Sequence, residues 1–498
     1  MKRINLVYDI CIMISKTKVD KNNKAYLTSD HFYQFFQCPH WIWYDLYGDE
    51  TKKGRYPRIL EMIYRDGLKH AQHIASQKEF EDLKPEQYQD LDEAFMSTLE
   101  MMRAGKNIYR GVLLDQHWVG MPDLLEARKG KSNLGDHYYV AYDIKNASEM
   151  RDDYKFALVF YSLILERIQG VLPEEAYIVN SKGEEFSFKV RDFMDEFHIA
   201  RDAIEQILDG ARPAPFLKSG CKKSPWFSLC VEESQGCNDV SLVYRLSQSD
   251  QKRLYDLDIR TVEKFAATPL RDLEVALEDW PYDKLIRLHN QANVLIKNEP
   301  LVLKHIHFPK VETEIYFDVE SDPTDNIDYL LGILIQEKGE KPVYRPFWAE
   351  SKDDEKRNWE EFLEFLHSLD SFAIYHYAFY EKEVFKRLSN SYGISRELFD
   401  KFMNNTVDIH RSVIDSVILP IYFYSLKDVA RFAGFNWRAP DAGGAESVVW
   451  YSEWRETGDV NLRKKLLNYN EDDVQATLYV KEWLEKLKPR VAREKLDE

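Results

Sequence analysis

The sequence predicts a multidomain α/β protein, and three observations carry that expectation. The chain has 498 residues, too many for one hydrophobic core, so roughly two to four domains of ordinary size are expected. Hydrophobic residues make up 44% and aromatic residues 14%, enough to fill packed interiors and too many for long disorder. Strand-like and helix-like periodicities alternate, most clearly from about residue 310 to 490. Three regions follow: residues 1–240, which mix helices and strands and hold all five cysteines; a helical spacer over 241–305; and an alternating strand and helix region over 306–498. No repeat of fixed period and no low-complexity tract interrupts them.

The N-terminal stretch "MKRINLVYDICIMIS" is apolar, but Asp9 splits it and no small-residue cleavage site follows. It reads as a strand rather than a signal peptide. With no run of about 18 apolar residues, the expectation is a cytoplasmic protein without a membrane segment. The net charge of −17 argues against coating nucleic acid through bulk electrostatics, and it suits an enzyme that gathers acids around metal ions. The basic pieces "ARKGK" and "KLKPRVAREK" read as solvated surface.

In the first region, "ILEMIYRDGLKHAQHIA" has helical spacing and aligns His70 with Ile63, Gly67 and Ile74. "WVGMPDLLEAR" and "YYVAYDIKN" read as two strands of a meander. Asp123 lies in the first; Asp143 and Lys145, two residues apart, share one face of the second. A histidine and two aspartates can ligate a metal, and a lysine beside a metal-bound carboxylate can align water and stabilise phosphorane charge. Cys38 stands early, and Cys221, Cys230 and Cys237 cluster in "GCKKSPWFSLCVEESQGC". Such thiols are read as ligands of an iron–sulfur cluster or of structural Zn²⁺, ordinary buried thiols being the alternative; Cys11 is assigned to the core. "LIKNEPLVLKHIHFPKVE" carries the connection to the last region, its prolines limiting helix.

The last region opens on "IYFDVES", an apolar strand with Asp318 and Glu320 on one face. An ionised carboxylate in such a strand is costly unless something pairs with it. A short strand at 372–376 runs into a helix on which Glu381 shares a stripe with Val384, Phe385 and Leu388. In the final helix, Asp473 falls on the stripe of Leu462, Leu466, Tyr469, Ala476, Val480 and Trp483, whereas Asp472 falls beside it. Four inward acids from three elements need counter-charge, which two Mg²⁺ or Mn²⁺ ions would supply while binding the attacking and leaving oxygens of a phosphodiester. Helix caps and surface ion pairs are the alternative.

"FDVES", "HYAFYE" and "YNEDDV" together resemble the three exonuclease motifs of DEDD-type nucleases with an RNase H-like fold. The resemblance implies Asp318, Glu320, Glu381 and Asp473 as metal ligands, Tyr469 as the residue that orients the attacking water, and cleavage from a 3′ end. Tyr377 stands where the second motif usually has Asn, and Glu381 where it has Asp. "YSLKDVARFAGF" resembles the helix between the second and third motifs, and Asp408 is a possible extra acid.

The first region resembles the RecB-like form of the PD-(D/E)XK nuclease core: Gly67 to His70, then Pro122–Asp123, then Asp143 to Lys145. His70, Asp123 and Asp143 would be metal ligands, Lys145 catalytic, and Tyr161 in the next helix substrate-binding; Ala157 stands at that helix's usual Gln position. In such nucleases one early Cys and three later ones bind a 4Fe-4S cluster, which implies Cys38, Cys221, Cys230 and Cys237 here, with Ser224 where a second Cys of the later group usually stands. "SLVYRLSQSDQKRLYDLDIRTVEKFAATPLRDL" resembles a degenerate helix-hairpin-helix region. The whole order is similar to a bacterial family of RecB-type nucleases fused to a YprB-like exonuclease domain. That likeness implies nucleic acid as partner, DNA favoured over RNA, and a helicase or other repair protein as a further partner.

Overall fold

The computed structural model describes residues 24–77, 80–145, 152–323, 325–440 and 443–488. The expected N-terminal strand and Cys11 lie outside the described residues. The chain divides into two compact units, Met1–Glu232 and Glu233–Glu498. No described helix is long and apolar enough to cross a membrane.

The first unit is organised by a six-stranded sheet. Its key elements are helices α1 (Ser29–Gln37) and α2 (Arg58–Gln77), strands β1 (Leu124–Ser132) and β2 (Gly135–Ile144), helix α3 (Asp152–Gln169), and strands β3 (Glu175–Val179) and β4 (Glu185–Lys189). The strand order is Glu81–Asp82, Ile108–Tyr109, β1, β2, β3, β4. β1 and β2 form an antiparallel hairpin, whereas β2 and β3 run parallel and are joined through α3, as a parallel pair requires a crossover. Alternation along β2 splits its residues between two cores. Tyr139 and Ala141 pack with Leu158, Val159 and Ile164 of α3. Val140, Tyr142 and Ile144 pack with Ala71, Ile74 and Ala75 of α2.

Two expectations change here. The segment around Asp123 is not one strand: Trp118–Gly120 pairs with Leu27–Thr28 and Leu113–Asp115 in a separate sheet, and β1 begins only at Leu124. Pro122 has no N–H to give a ladder, so the chain bends and leaves Asp123 at the mouth of β1. On α2 the buried face is Met62, Ala71, Ile74 and Ala75, whereas Ile63 is 45% exposed. Of the stripe containing His70, Ile74 is packed against the sheet with Ala71 and Ala75, whereas Ile63 at its start is not.

The second unit holds a five-stranded sheet of β5 (Thr313–Asp322), β6 (Ile327–Glu337), β7 (Val343–Trp348), β8 (Phe372–His376) and β9 (Thr406–Asp408). The order is β7-β6-β5-β8-β9, with β5, β6 and β7 antiparallel and β5, β8 and β9 parallel. Helices cover both faces. Ile315, Phe317 and Val319 of β5 pack with Trp359, Phe362, Phe385 and Phe402 on one side. Tyr316 lies on the other, with Val474, Ala476 and Val480 of the final helix. The period of two therefore sends Asp318 and Glu320 toward that final helix, not into the first core. Residues 241–305 are built into this unit: Gln291 donates to the Leu419 carbonyl at 2.7 Å, and Tyr244 stacks on Tyr424 at 4.2 Å.

Gly332 on β6 is the register partner of Asp318. A Cβ at Gly332 would lie 1.5 Å from Asn470 Oδ1, and Asn470 Nδ2 donates to Asp318 Oδ2 at 2.7 Å. The bare glycine is what lets Asn470 lie over the strand and reach the acid. Gly332→Ala should therefore displace Asn470 and cost about 1–3 kcal/mol of stability, read as a lower urea midpoint, and it should weaken Mn²⁺ binding in the same preparation.

Candidate active site

The candidate centre of the second unit is assembled from β5 and four further elements: α4 (Tyr380–Tyr392), α5 (Leu426–Ala433), α6 (Gly444–Thr457) and α7 (Val460–Lys486). Asp318, Glu320 and Asp473 each offer a carboxylate oxygen, and these oxygens lie within 4.8 Å of one another. Each acid is held by a neutral donor from a different residue. Asn470 holds Asp318, Ser447 Oγ donates to Glu320 Oε2 at 2.5 Å, and Trp437 Nε1 donates to Asp473 Oδ1 at 2.6 Å. Tyr469, one turn before Asp473 on α7, is buried and hydrogen-bonds the same carboxylate.

Glu381 is buried but does not join the trio within that distance. Its helix packs Val384, Phe385 and Leu388 into the core on the opposite face of the sheet, so this acid comes from the other layer. Its charge still raises Asp318 and Glu320. Glu381 Oε2 lies 3.6 Å from His376 Nδ1, and neither that oxygen nor either ring nitrogen of the buried His376 has a hydrogen-bond partner. Tyr377, at the usual Asn position, donates its hydroxyl to the Tyr424 carbonyl at 2.8 Å. Asp408 is spent on backbone, accepting from Ala378 N at 3.0 Å and Arg411 N at 3.2 Å.

Two further residues are part of this surround: Asp472, which sequence patterning sets aside, and Lys427, which it does not single out. Asp472 is buried and bound by Arg438, whose Nε lies 2.7 Å from Oδ1 and whose backbone N donates to Oδ2 at 2.9 Å. Lys427 on α5 reaches over the rings of Tyr469 at 5.0 Å and Trp437 at 5.6 Å, and its charge lowers both Glu320 and Asp473. The helix was visible in "YSLKDVARFAGF"; what was missing was any local sign that its lysine faces acids.

Crowding shows in the proton affinities. Burial, then the Asp473 charge, pushes Glu320 from 4.5 up to about 8. Burial lifts Asp473 from 3.8 to about 6 against the pull of Trp437 and Lys427. Asp318 is raised well above the carboxylate range by burial and by Asp473 and Glu320. Three oxygen ligands that repel one another when ionised fit a hard divalent cation.

In the first unit, Lys145 Nζ lies 2.7 Å from Asp143 Oδ2, and Asp123 Oδ2 accepts from Ile144 N at 2.6 Å. Burial, then the charge of Asp143, raises Asp123 well above its usual value, and the two carboxyls also share a hydrogen bond. His70 Nε2 is engaged with the Asn180 carbonyl at 3.1 Å, and His70, Asp123 and Asp143 do not close to within 4.8 Å of one another. Tyr161 donates to Ser29 Oγ at 2.9 Å. Its neighbour Asp30, on α1 and open to solvent, feels Lys145 and Asp143; no motif pointed to it. Cys38, Cys221 and Cys230 are buried together: Cys38 Sγ is 3.7 Å from Cys230 Sγ, and hydrogen bonds from Cys230 and Cys38 hold the Cys221 thiol low. Cys237 belongs to the second unit, where it is exposed and its Sγ lies 3.1 Å from the Glu233 carbonyl.

A mixed five-stranded sheet covered on both faces, with acids from its first strand and last helix converging, defines an RNase H-like domain. In agreement, residues 315–485 match the family model RNase_H_2 of the RNase H superfamily. No curated protein matches the chain. The superfamily points to metal-dependent nuclease activity for this unit.

A folded acid that keeps a proton its unfolded form has released loses stability as pH rises. For Glu320 that window runs from 4.5 to about 8. Metal-free protein should therefore show a melting temperature that falls across this window more steeply than in Glu320→Gln, and Mg²⁺ should raise it more at the top of the window than at the bottom. Parallel profiles for the two proteins would contradict the burial of an ionisable Glu320.

Proposed function

We propose that the protein is a nuclease that hydrolyses phosphodiester bonds of DNA, trimming single-stranded 3′ ends at the acid cluster of its RNase H-like unit with Mg²⁺ or Mn²⁺. The observation that carries the reading is the convergence of Asp318, Glu320 and Asp473 beside Tyr469. These three acids, with Glu381, would hold the ions. When bound, divalent ions at such carboxylates activate water and neutralise charge on the leaving oxygen. Tyr469 orients the attacking water through its hydroxyl, which already shares Asp473. Lys427, held over the Tyr469 ring, offers a positive charge where phosphate charge accumulates.

The first unit supplies a second site in this reading. Asp123, Asp143 and His70 bind metal, Lys145 stabilises the phosphorane, and Tyr161 touches the substrate strand. Cys38, Cys221 and Cys230 supply thiolates to an iron–sulfur cluster in that unit. Work on DNA ends in repair, recombination or defence, in the cytoplasm and beside a helicase or other repair protein, suits such a pairing. A second reading treats the first unit as a nucleic-acid-binding module: the engagement of His70 with Asn180 favours it.

Purified protein with Mg²⁺ or Mn²⁺ should degrade end-labelled single-stranded DNA faster than a matched RNA. Asp318→Ala should reduce the rate by about 100-fold or more, and Asp143→Ala should remove a separate product pattern. Equal rates for wild type and the double variant would refute the nuclease reading, and an unchanged pattern in Asp143→Ala alone would favour the binding module. For the thiols, anaerobically purified protein should be brown, absorbing near about 400 nm, with the colour lost in Cys230→Ala; colourless, zinc-containing protein would rule the cluster out.

A further inference from the structure

The turn between β8 and α4 is held in a costly conformation. Ala378 takes φ +73°, in the left-handed region that a non-glycine residue enters only under constraint. Asp408 supplies the constraint: one carboxylate oxygen accepts from Ala378 N and also caps the next helix through Arg411 N. The residue that follows, Phe379, is 71% exposed. It is not the tip of a slack loop, because its neighbours are tied down. His376 is buried, Tyr377 is bound to the Tyr424 carbonyl, and Tyr380 hydrogen-bonds Ser321 and Arg387.

The place of this turn gives the exposure its meaning. β8 runs parallel to β5 with Tyr375 beside Tyr316, so the turn leaves the sheet at the strand ends where Asp318 and Glu320 stand. The carboxyl ends of parallel strands are where such sheets bind ligands. Ser321, which Tyr380 touches, follows Glu320, and Glu381 comes two residues after Phe379. A large, exposed apolar ring thus stands on the turn that leads from the strand ends beside Asp318 and Glu320 into the helix of Glu381.

We infer that Phe379 is a stacking platform for the terminal base of a single-stranded nucleic acid whose scissile phosphate sits at Asp318, Glu320 and Asp473, with the Asp408–Ala378 clamp holding the ring in place. The location of the phosphate rests on the nuclease reading above; the platform itself is a binding claim. Stacking on an aromatic ring is tolerant of sequence, because every base has a π-face. A paired end keeps its base in the duplex stack, so the platform selects unpaired ends without reading their sequence. An ordinary surface phenylalanine would do none of this.

The test uses the full chain with Ca²⁺ replacing Mg²⁺, and oligodeoxynucleotides carrying 2-aminopurine at the 3′ terminus or at an internal position. Wild type should quench the terminal label more than the internal one, and a blunt duplex less than a single strand. Phe379→Ala should lose the terminal quenching and weaken binding about tenfold, whereas Phe379→Trp should retain both. Asp408→Ala, with an unchanged circular dichroism spectrum, should lose part of the quenching by freeing the turn. Equal terminal quenching by wild type and Phe379→Ala, or no quenching by wild type, overturns the inference. Cleavage that depends on Asp318 alongside unaltered quenching in Phe379→Ala would remove the platform and keep the nuclease. Quenching that depends on Phe379 in a protein that never cleaves would do the reverse.

Discussion

Three carboxylates brought within 4.8 Å of one another are the constraint on which the second unit depends. Burying one ionised acid is costly, and burying three together compounds desolvation with repulsion. The fold meets this with neutral donors to each acid: Asn470 to Asp318, Ser447 to Glu320, and Trp437 with Tyr469 to Asp473. Neutral donors satisfy lone pairs without cancelling charge. They leave the acids dependent on protons or on a cation: burial, then the Asp473 charge, makes Glu320 hold its proton up to about 8 against the pull of Ser447. Had arginines been used instead, the acids would be satisfied ion pairs with little affinity left for a metal.

Much of the remaining architecture serves that arrangement. α7 must cross β5 so that Asp473 and Asn470 meet Asp318, and its stripe of Val474, Ala476, Val480 and Leu484 fixes it on that face. Gly332 leaves Asn470 the space it needs. Lys427 lies over the rings of Tyr469 and Trp437, and its charge lowers both Glu320 and Asp473. Asp472 shares the helix and the burial but is paired with Arg438, whereas its neighbour Asp473 is held by the neutral Trp437.

That contrast marks how far sequence could be read. The two-residue period of "IYFDVES" placed Asp318 and Glu320 together, and the stripe of α7 carried Tyr469 and Asp473, because both are local backbone periodicities. Asp472 was legible only as off the stripe. Its burial depends on Arg438, 34 residues away, and no local pattern encodes such a partner. The same limit hid Lys427, and it hid the role of Asp408, whose carboxylate acts on a turn 30 residues earlier. On α2 the stripe of Ile63, Gly67, His70 and Ile74 met the sheet only in part: Ile74 is in the core beside Ala71 and Ala75, and Ile63 is exposed. In the first unit the strand oddity at Asp143 was visible, yet its electrostatic meaning differs. There the acid has a cation 2.7 Å away in Lys145, the residue just after the strand.

Glu381 is where this chain departs furthest from the usual motif, and the departure has a physical reading. A longer acid from the opposite layer could have drifted to the surface or paired with a nearby lysine, as Glu383 does with Lys386. Instead Glu381 stays buried, with one oxygen unpartnered and facing a buried imidazole that has no hydrogen bond at either nitrogen. Each unmet buried polar group costs about 1–3 kcal/mol. A fold relieved of any need for that carboxylate would shed the cost by a single apolar substitution. The two groups stay 3.6 Å apart, and the charge of Glu381 raises the proton affinity of Asp318 and Glu320. Glu381 thus acts on the acid trio through its charge from the opposite layer of the sheet, outside the 4.8 Å cluster.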